Sequence, residues 1–446
     1  MKKKPSYPGR RKFIGDAAAL GSMGVLGAGS FFSSCNRRES FVAPVFPDQA
    51  PDGPVLKAGV VGCGWRGTGA AINFLDAGPN LEVVALGDLF PHRIDSCRAA
   101  IKERRGIDIP DENCFTGFDN YKKVIDSGID VVLLCEPPYF RPLSFEYAVQ
   151  SRKHVFVEKP VGVDPVGVRS VMASGQMAEA AGLMVLAGTH YRHMRDRVQA
   201  HEMVKNGAIG DIVSVNCYFN MGKLWHVNRQ EGWCDMEAMV RDWVNWLWLS
   251  GDHIVEQHIH ELDTVGWFMD KHPVKCVGFG GRHRRLTGDQ NDFFSVDFVY
   301  DDGRHMHSMC RQIDGCANNV STLFFGTKGY TNGMNEIRDY DGNLLWEYSY
   351  PLDENGRSTG QPAVPPHDQE IINFVTALRT NDYVNDIPNV TGANMVAIMG
   401  RESAYTGRET GIDEIMSSNM RHGPDRLEFG PVHVPPGPPV PGTAPA

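Results

Sequence analysis

Lys159 closes the stretch His154-Val155-Phe156-Val157-Glu158-Lys159-Pro160, in which a short apolar run is followed by an acid, an amine and a turn-fixing proline. In a parallel sheet, ligands collect at the carboxyl ends of strands. An ammonium desolvated at such an end can hydrogen-bond a substrate hydroxyl. By itself, a lysine in this setting is more often a surface residue. A second stretch, Gly62-Cys63-Gly64-Trp65-Arg66-Gly67, has chemistry in its spacing. It follows an apolar run and opens a helical pattern. Gly62 permits the tight turn, Gly64 lets backbone approach a pyrophosphate, and Gly67 lets the helix sit close to the sheet. The free N–H groups at the helix start, at Trp65 and Arg66, then face the anion. Asp88 ends the next apolar run, at about the twenty-residue distance where a carboxylate accepts hydrogen bonds from the adenosine ribose and repels a 2′-phosphate. This favours NAD as cofactor, and Arg93 nearby leaves NADP open. The same glycines would also suit a turn in a doubly wound fold that binds no nucleotide.

The elements that must position these groups form a repeating pattern. Apolar runs at Leu56–Val61, Leu81–Gly87, Ile129–Cys135, His154–Val157 and Leu183–Ala187 alternate with helical segments such as Pro142–Ser151 and Pro165–Ala181. Such alternation predicts crossover units and a parallel sheet. After about Arg197 the texture changes. Tryptophans cluster at Trp225, Trp233, Trp243, Trp246 and Trp248, a strand-like run appears at Phe293–Tyr300, and loops lengthen. The predicted class is therefore α/β. An N-terminal Rossmann doubly wound parallel sheet spans 55–188, and a C-terminal α/β domain with an open, largely antiparallel sheet spans 189–430 as the substrate and oligomerisation unit. Two late helices, His367–Arg379 and Asn394–Thr406, are expected to pack back on the first domain. Most of the tryptophans read as core. Trp225 and His226, flanked by polar residues, are the candidates for an exposed platform against the C–H faces of a sugar. A chain of 446 residues suffices for two such domains. A net charge of −10 leaves no basic surplus with which to bind nucleic acid or an acidic membrane. The cysteines include no CxxC pair, which excludes a zinc ribbon and a thioredoxin-type site; Cys310 and Cys316 read as two isolated thiols rather than a disulfide.

The glycine loop, Asp88 and the strand-borne Glu158-Lys159-Pro160 resemble the glucose–fructose oxidoreductase, inositol dehydrogenase and rhizopine-catabolism (Gfo/Idh/MocA) family, over roughly residues 55–425. His367-Asp368-Gln369-Glu370-Ile371-Ile372-Asn373-Phe374-Val375 is similar to the family's helix between the domains. The resemblance implies NAD(P)-dependent oxidation of a hydroxyl on a sugar, sugar derivative or cyclitol, in a homo-dimer or homo-tetramer. It places Glu158 and Lys159 against the cofactor, and Lys159 also in catalysis. The family's second motif, an acid, a histidine four residues on and an aspartate three further, aligns with Glu256, His260 and Asp263. Those spacings put the three on one helical face, with His253 one turn earlier. His260 would take the hydroxyl proton as the carbinol hydrogen leaves as hydride, with a neighbouring carboxylate orienting the ring. The family usually has Asp where Glu256 stands, which changes the reach. His258 is an addition that points to another face. Thr189-His190-Tyr191-Arg192 resembles the family's linker between domains, with Arg192 facing substrate or held in a structural ion pair. Two further readings of the histidine stretch stay open. His253, Glu256 and His260 could converge on zinc, although H-E-x-x-H is absent and hydride transfer in this family needs no metal. Alternatively, the histidines satisfy hydrogen bonds between the domains.

Gly9-Arg10-Arg11-Lys12-Phe13-Ile14 sets paired arginines before the stretch Ala17 to Phe32, which is too short and too rich in Gly and Ser for a membrane span. Residues 1–35 read as a twin-arginine export signal leading to the periplasm, the alternative being a disordered basic tail. Phe32-Ser33-Ser34-Cys35 resembles a lipoprotein cleavage box, with Cys35 as the lipid anchor. Residues 36–54 read as a tether and 431–446 as a disordered Pro-rich tail. Outside the cytoplasm no nicotinamide pool regenerates NAD, so a tightly held cofactor is expected. Three functions follow. The first is a dehydrogenase for a sugar or cyclitol hydroxyl. The second is a redox-neutral glycoside hydrolase or lyase, working through transient oxidation at C3 with a further base such as Tyr191 or Tyr218. The third is a non-catalytic sugar- or NAD-binding subunit.

Overall fold

The computed structural model describes residues 42–433 and 437–443. The twin-arginine segment, Cys35, the start of the tether and parts of the tail lie outside the described residues. The first sheet contains β1 (Leu56–Val61), β2 (Leu81–Asp88), β3 (Cys114–Thr116), β4 (Val131–Leu134), β5 (His154–Val157) and β6 (Val185–Ala187). Their order is β3-β2-β1-β4-β5-β6, parallel throughout. Every residue of β4 is buried, because helices cover both faces and leave no solvated side. On one face lie α1 (Trp65–Asp76) and α2 (Pro91–Arg105); on the other lie α3 (Asn120–Ile125), α4 (Arg141–Gln150) and α5 (Pro165–Ala180). The chain reverses its direction of travel across the sheet between β1 and β4, so the crevice at their carboxyl ends is the switch point where ligands bind such sheets. The short β3 has no periodic pattern in its three residues, and the sequence alone does not disclose it.

The second sheet is built from β7 (Ile212–Met221), β8 (Lys275–Gly281), β9 (Phe293–Val299), β10 (His305–Gln312), β11 (Asn319–Gly326), β12 (Gly329–Thr331), β13 (Glu336–Asp339), β14 (Leu344–Glu347) and β15 (Thr410–Gly411). Its order is β14-β13-β12-β11-β7-β10-β9-β8-β15. Only β7 and β10 pair in parallel, Ser214 opposite His305 through Met221 opposite Gln312, so both strands end at the same edge. Along β10 Met306, Ser308, Cys310 and Gln312 are buried and alternate with more exposed residues. That is the period of a sheet packed on one face only. The remaining helices are α6 (Arg195–Lys205), α7 (Asp235–Arg241), α8 (Leu247–Ser250), α9 (His253–Glu256), α10 (Ile259–Met269), α11 (Pro366–Thr380), α12 (Ile387–Thr406) and α13 (Ile412–Ser417). Of these, α6, α9, α10, α12 and α13 share the core of the packed face, while α7 and α8 form a separate cluster with Phe90. Helix α12 is buried on nearly every side, because it lies between α5 of the first unit and α10 and β8 of the second. Helix α11 packs on α1.

Three expectations need correction. The stretch 253–263 is not one helix. Asp252 caps α9 by accepting from His253 N (2.6 Å), and the chain then leaves the helix at Gln257–His258 because the His258 ring bonds Ser308 on β10 (2.6 Å). The tether is not free where it is described: Ala50 is buried, and Arg195, Gln369 and Arg379 donate to carbonyls of Pro47 and Pro51. The tail is packed at its start, where Val432 is buried beside Met236 and Trp248 and its N–H donates to Asp235.

Candidate active site

The phosphate loop has the geometry its glycines require. Gly62 sits at φ +86°, and a Cβ there would lie 2.4 Å from Glu136 N. A Cβ on Gly67 would lie 1.7 Å from Gly62 O, whereas one on Gly64 would meet nothing within 4 Å, so the space above Gly64 is open. No side chain caps the start of α1, which leaves its N–H groups for an anion. Asp88 accepts from Cys63 N (2.7 Å) and Phe90 N (2.9 Å) and lines the cleft together with Gly64, Trp65 and Arg93. Burial raises its carboxyl above the usual range. The two backbone donors occupy only part of its acceptor capacity, and the rest suits ribose hydroxyls. Gly62, Gly64, Trp65, Gly67 and Asp88 fit a dinucleotide.

Arg66 turns out to have another task. Its Nε donates to Glu158 Oε1 (2.5 Å) and its Nη2 to Glu370 Oε1 (2.7 Å), so its side chain braces the Glu-Lys-Pro loop instead of reaching for phosphate. Glu370 also receives His367 Nδ1 (3.0 Å). Burial works to raise the Glu158 carboxyl, but Arg66, Arg141 and Lys159 outweigh it and hold Glu158 ionised. Glu158 is thus a buried counter-charge behind the loop. Arg141 donates to Pro160 O (2.6 Å), fixing the loop from below.

Lys159 reaches across to the second unit. Its Nζ donates to Glu256 O (2.6 Å) and contacts Glu256 Oε1 (3.3 Å). Four residues further along, past the broken helix, stands His260, 8% exposed, with rings of His190 and Tyr191 at 4.7 and 4.9 Å. Burial first, and then the Lys159 ammonium, hold the His260 imidazole well below its usual pKa, so the ring is neutral. The two loops are tied by Arg401 of α12, fully buried, which donates to Val163 O (2.8 Å) and Gly251 O (2.9 Å). Lys159, Glu256 and His260 are therefore brought together.

Asp263 and Arg192 are not available to substrate. Arg192 forms a bidentate pair with Asp263 (2.7 and 3.0 Å), and its guanidinium lies over Trp267. The carboxylate is 2% exposed. Trp225 is half exposed and lines the cofactor cleft with Arg241, while His226 is held by Asp242 (3.0 Å). His253 pairs with Asp252, and His258 with Ser308. Among the described residues, no group of three or more His, Cys, Asp and Glu is placed to hold a metal. Cys310 is buried and Cys316 exposed, both free. Sequence reasoning passed over His190, His367, Arg401 and Arg241 as site-forming residues. His190 adjoins Arg192, and His367 stands three positions before Glu370, so their spacing held a signal; Arg241 and Arg401 had none.

Residues 56–190 match the oxidoreductase family with an NAD-binding Rossmann fold, and residues 198–331 match the GFO/IDH/MocA C-terminal domain. The chain belongs to the Gfo/Idh/MocA oxidoreductase family. Within it, the chain is 25% identical over 255 residues to 2,7-anhydro-N-acetylneuraminate hydratase of Escherichia coli, covering 56% of this chain and 60% of that protein. It is 24% identical over 216 residues to inositol 2-dehydrogenase of Salmonella typhimurium, covering 48% and 55%. The matches thus span little more than half the length of these relatives. Scyllo-inositol dehydrogenase from Lactobacillus casei, solved with NAD(H) and scyllo-inositol, superimposes with a TM-score of 0.59 at 20% identity, over 80% of this chain and 99% of that one. The likeness extends the family match to the fold of both sheets.

Proposed function

We propose that this protein oxidises a CH–OH group of a sugar, sugar derivative or cyclitol, with NAD as hydride acceptor. The observation that carries the proposal is the contact of Lys159 with Glu256 beside a neutral His260. NAD, held by Gly62, Gly64, Gly67 and Asp88, would supply the acceptor for the carbinol hydrogen and its electron pair. Lys159 has three N–H donors; two point to Glu256 O and Oε1, and the third is left for a substrate oxygen. His260 is neutral and takes the hydroxyl proton. The positive charge next to it, which depresses its pKa, also favours the alkoxide that forms as that proton leaves. Glu256 fixes Lys159, and Glu158 balances its charge from behind. Trp225 and Arg241, from the second unit, border the cleft at the Asp88 end, which supports a tightly held cofactor. Export by the twin-arginine route to the periplasm, with or without lipid at Cys35, and pairing of chains through the open sheet complete the proposal.

The hydratase relative supports a second reading, in which a transient oxidation is followed by elimination or addition and the hydride returns. Tyr191, whose ring lies 4.9 Å from that of His260, is placed to act as the further base of that cycle, and burial, which pushes its phenol up to about 12, opposes its ionisation. Mass spectrometry of the small molecule released from purified protein, followed by a panel of inositols, sugars and nitrophenyl glycosides, separates the readings. NADH accumulation supports net oxidation, and aglycone release without NADH supports the redox-neutral cycle. Protein that neither binds NADH nor acts on any member contradicts both.

A further inference from the structure

We propose that the cavity at the carboxyl ends of β7 and β10 is a subsite for a second saccharide unit, so that the protein acts on a disaccharide or glycoside in preference to a free monosaccharide or cyclitol. The inference rests on the proposed function and deepens it. The cavity holds about 300 Å³, at the lower end of the range for small-molecule pockets. Three loops form it: 223–228 after β7, 284–287 before β9, and 312–314 where β10 ends.

One observation ties it to the cofactor cleft and one to the reacting centre. Along the segment Leu224–Asn228 the side chains alternate. Leu224, His226 and Asn228 line this cavity, while Trp225 and Val227 line the cofactor cleft. Successive side chains of extended chain point to opposite sides, so this one segment is a wall shared by both spaces. At the cavity's other side Gln312 Nε2 donates to Gln257 Oε1 (2.5 Å), and Gln257 directly follows Glu256, which holds Lys159. A ligand seated here lies against the residues that carry the cofactor wall and the catalytic turn.

The lining fits a neutral polyol. Two of its three cations are balanced, Lys223 by Asp314 (3.6 Å) and Arg285 by Asp292 (3.7 Å), and Arg284 donates to the Asp314 carbonyl (3.3 Å). Arg285 Nη1 also donates to Asn245 Oδ1 (2.8 Å). An added anion could pair only with Arg284 and would face the carboxylates of Asp292 and Asp314. The exposed Asn228 offers an amide donor and acceptor together, as ring hydroxyls require, while Asn245 and Gln312 are held by bonds within the protein. Leu224 and Leu286 add aliphatic surface for C–H faces.

The test uses the full chain loaded with NADH. Calorimetry compares maltose, cellobiose and lactose with glucose and myo-inositol. Asn228→Trp fills the cavity from its exposed rim; it removes the contact with His226 (3.0 Å) and keeps Lys159, His260 and the cleft-lining side chains Trp225 and Val227. Thr287→Trp, on the facing loop, is the second variant should the first fail to retain NADH. The expected result is at least one disaccharide bound about tenfold or more tightly than either single ring, with that advantage lost in the filled variant and NADH affinity unchanged. Equal binding of single and double rings, no binding of any disaccharide, or a preference that survives filling overturns the proposal. Failure of the oxidoreductase reading would show elsewhere, as disaccharide binding that is never accompanied by nicotinamide chemistry.

Discussion

One substitution at Arg192 decides between its two possible roles, a contact to substrate and the ion pair with Asp263. Both oxygens of Asp263 receive N–H groups from Arg192, and the side chains are 15% and 2% exposed. Arg192→Ala leaves a buried carboxylate without its partner, a change that costs about 3–5 kcal/mol. Unfolding entropy of about 2.1 cal/mol/K per residue over about 400 described residues gives ~0.8 kcal/mol/K. The melting temperature should then fall by ~4–6 °C in scanning calorimetry. Arg192→Lys should recover little, since an ammonium cannot reproduce the two-pronged contact. The double variant Arg192→Leu with Asp263→Leu should recover most of the loss, because no charge is left unpaired. If Arg192 instead serves substrate, the single variant would lower turnover or affinity with an unchanged melting temperature, and the double variant would be no better. That pattern would refute the reasoning.

Gly67→Ala should abolish NADH binding measured by fluorescence, because its Cβ would be placed 1.7 Å from Gly62 O and the phosphate loop must open to admit it. Arg401→Met strands the carbonyls of Val163 and Gly251, at about 1–3 kcal/mol each; urea midpoints should drop, and turnover should fall because the loops bearing Lys159 and His260 lose their common tie. Acid should unfold the protein in a defined window. Burial depresses His190 to about 2 and His193, His258 and His422 to about 3, so the unfolded chain binds more protons below about pH 6.5 and each group removes ~1.4 kcal/mol per pH unit as pH falls. Burial also raises Glu136 to about 7 and Asp289 and Asp386 to about 6. These acids work in the opposite sense, since the folded state holds their protons between about pH 4 and those values. Stability measured by urea titration should therefore change gently from pH 7 to 4 and fall steeply below 4; a steep loss already complete by pH 5 would contradict the opposing contributions.

The two-sheet architecture was legible because its signals are local. The strands at Leu56–Val61 and His154–Val157 are continuous apolar runs, and the glycine loop sits between a strand and a helix. Asp88 and Lys159 followed from position at strand ends. The break after Glu256 was not legible, because it is imposed by the contact of His258 with Ser308, fifty residues away. Nor were the partners of Arg66 and Arg192: a guanidinium in a site can serve a phosphate or a buried carboxylate equally well, and only tertiary placement decides. The same holds for Arg401, whose helix reads as ordinary amphipathic sequence while its side chain joins two loops.

The most direct test of the central claim is stopped-flow absorbance of NADH in one turnover, with the best substrate from the panel, for wild type, Lys159→Ala and His260→Ala. The account predicts that both variants keep NADH affinity and lose about 10²- to 10⁴-fold in the hydride-transfer rate, with the His260→Ala rate restored in part at high pH, where hydroxide replaces the missing base. Wild-type rates in Lys159→Ala would contradict it.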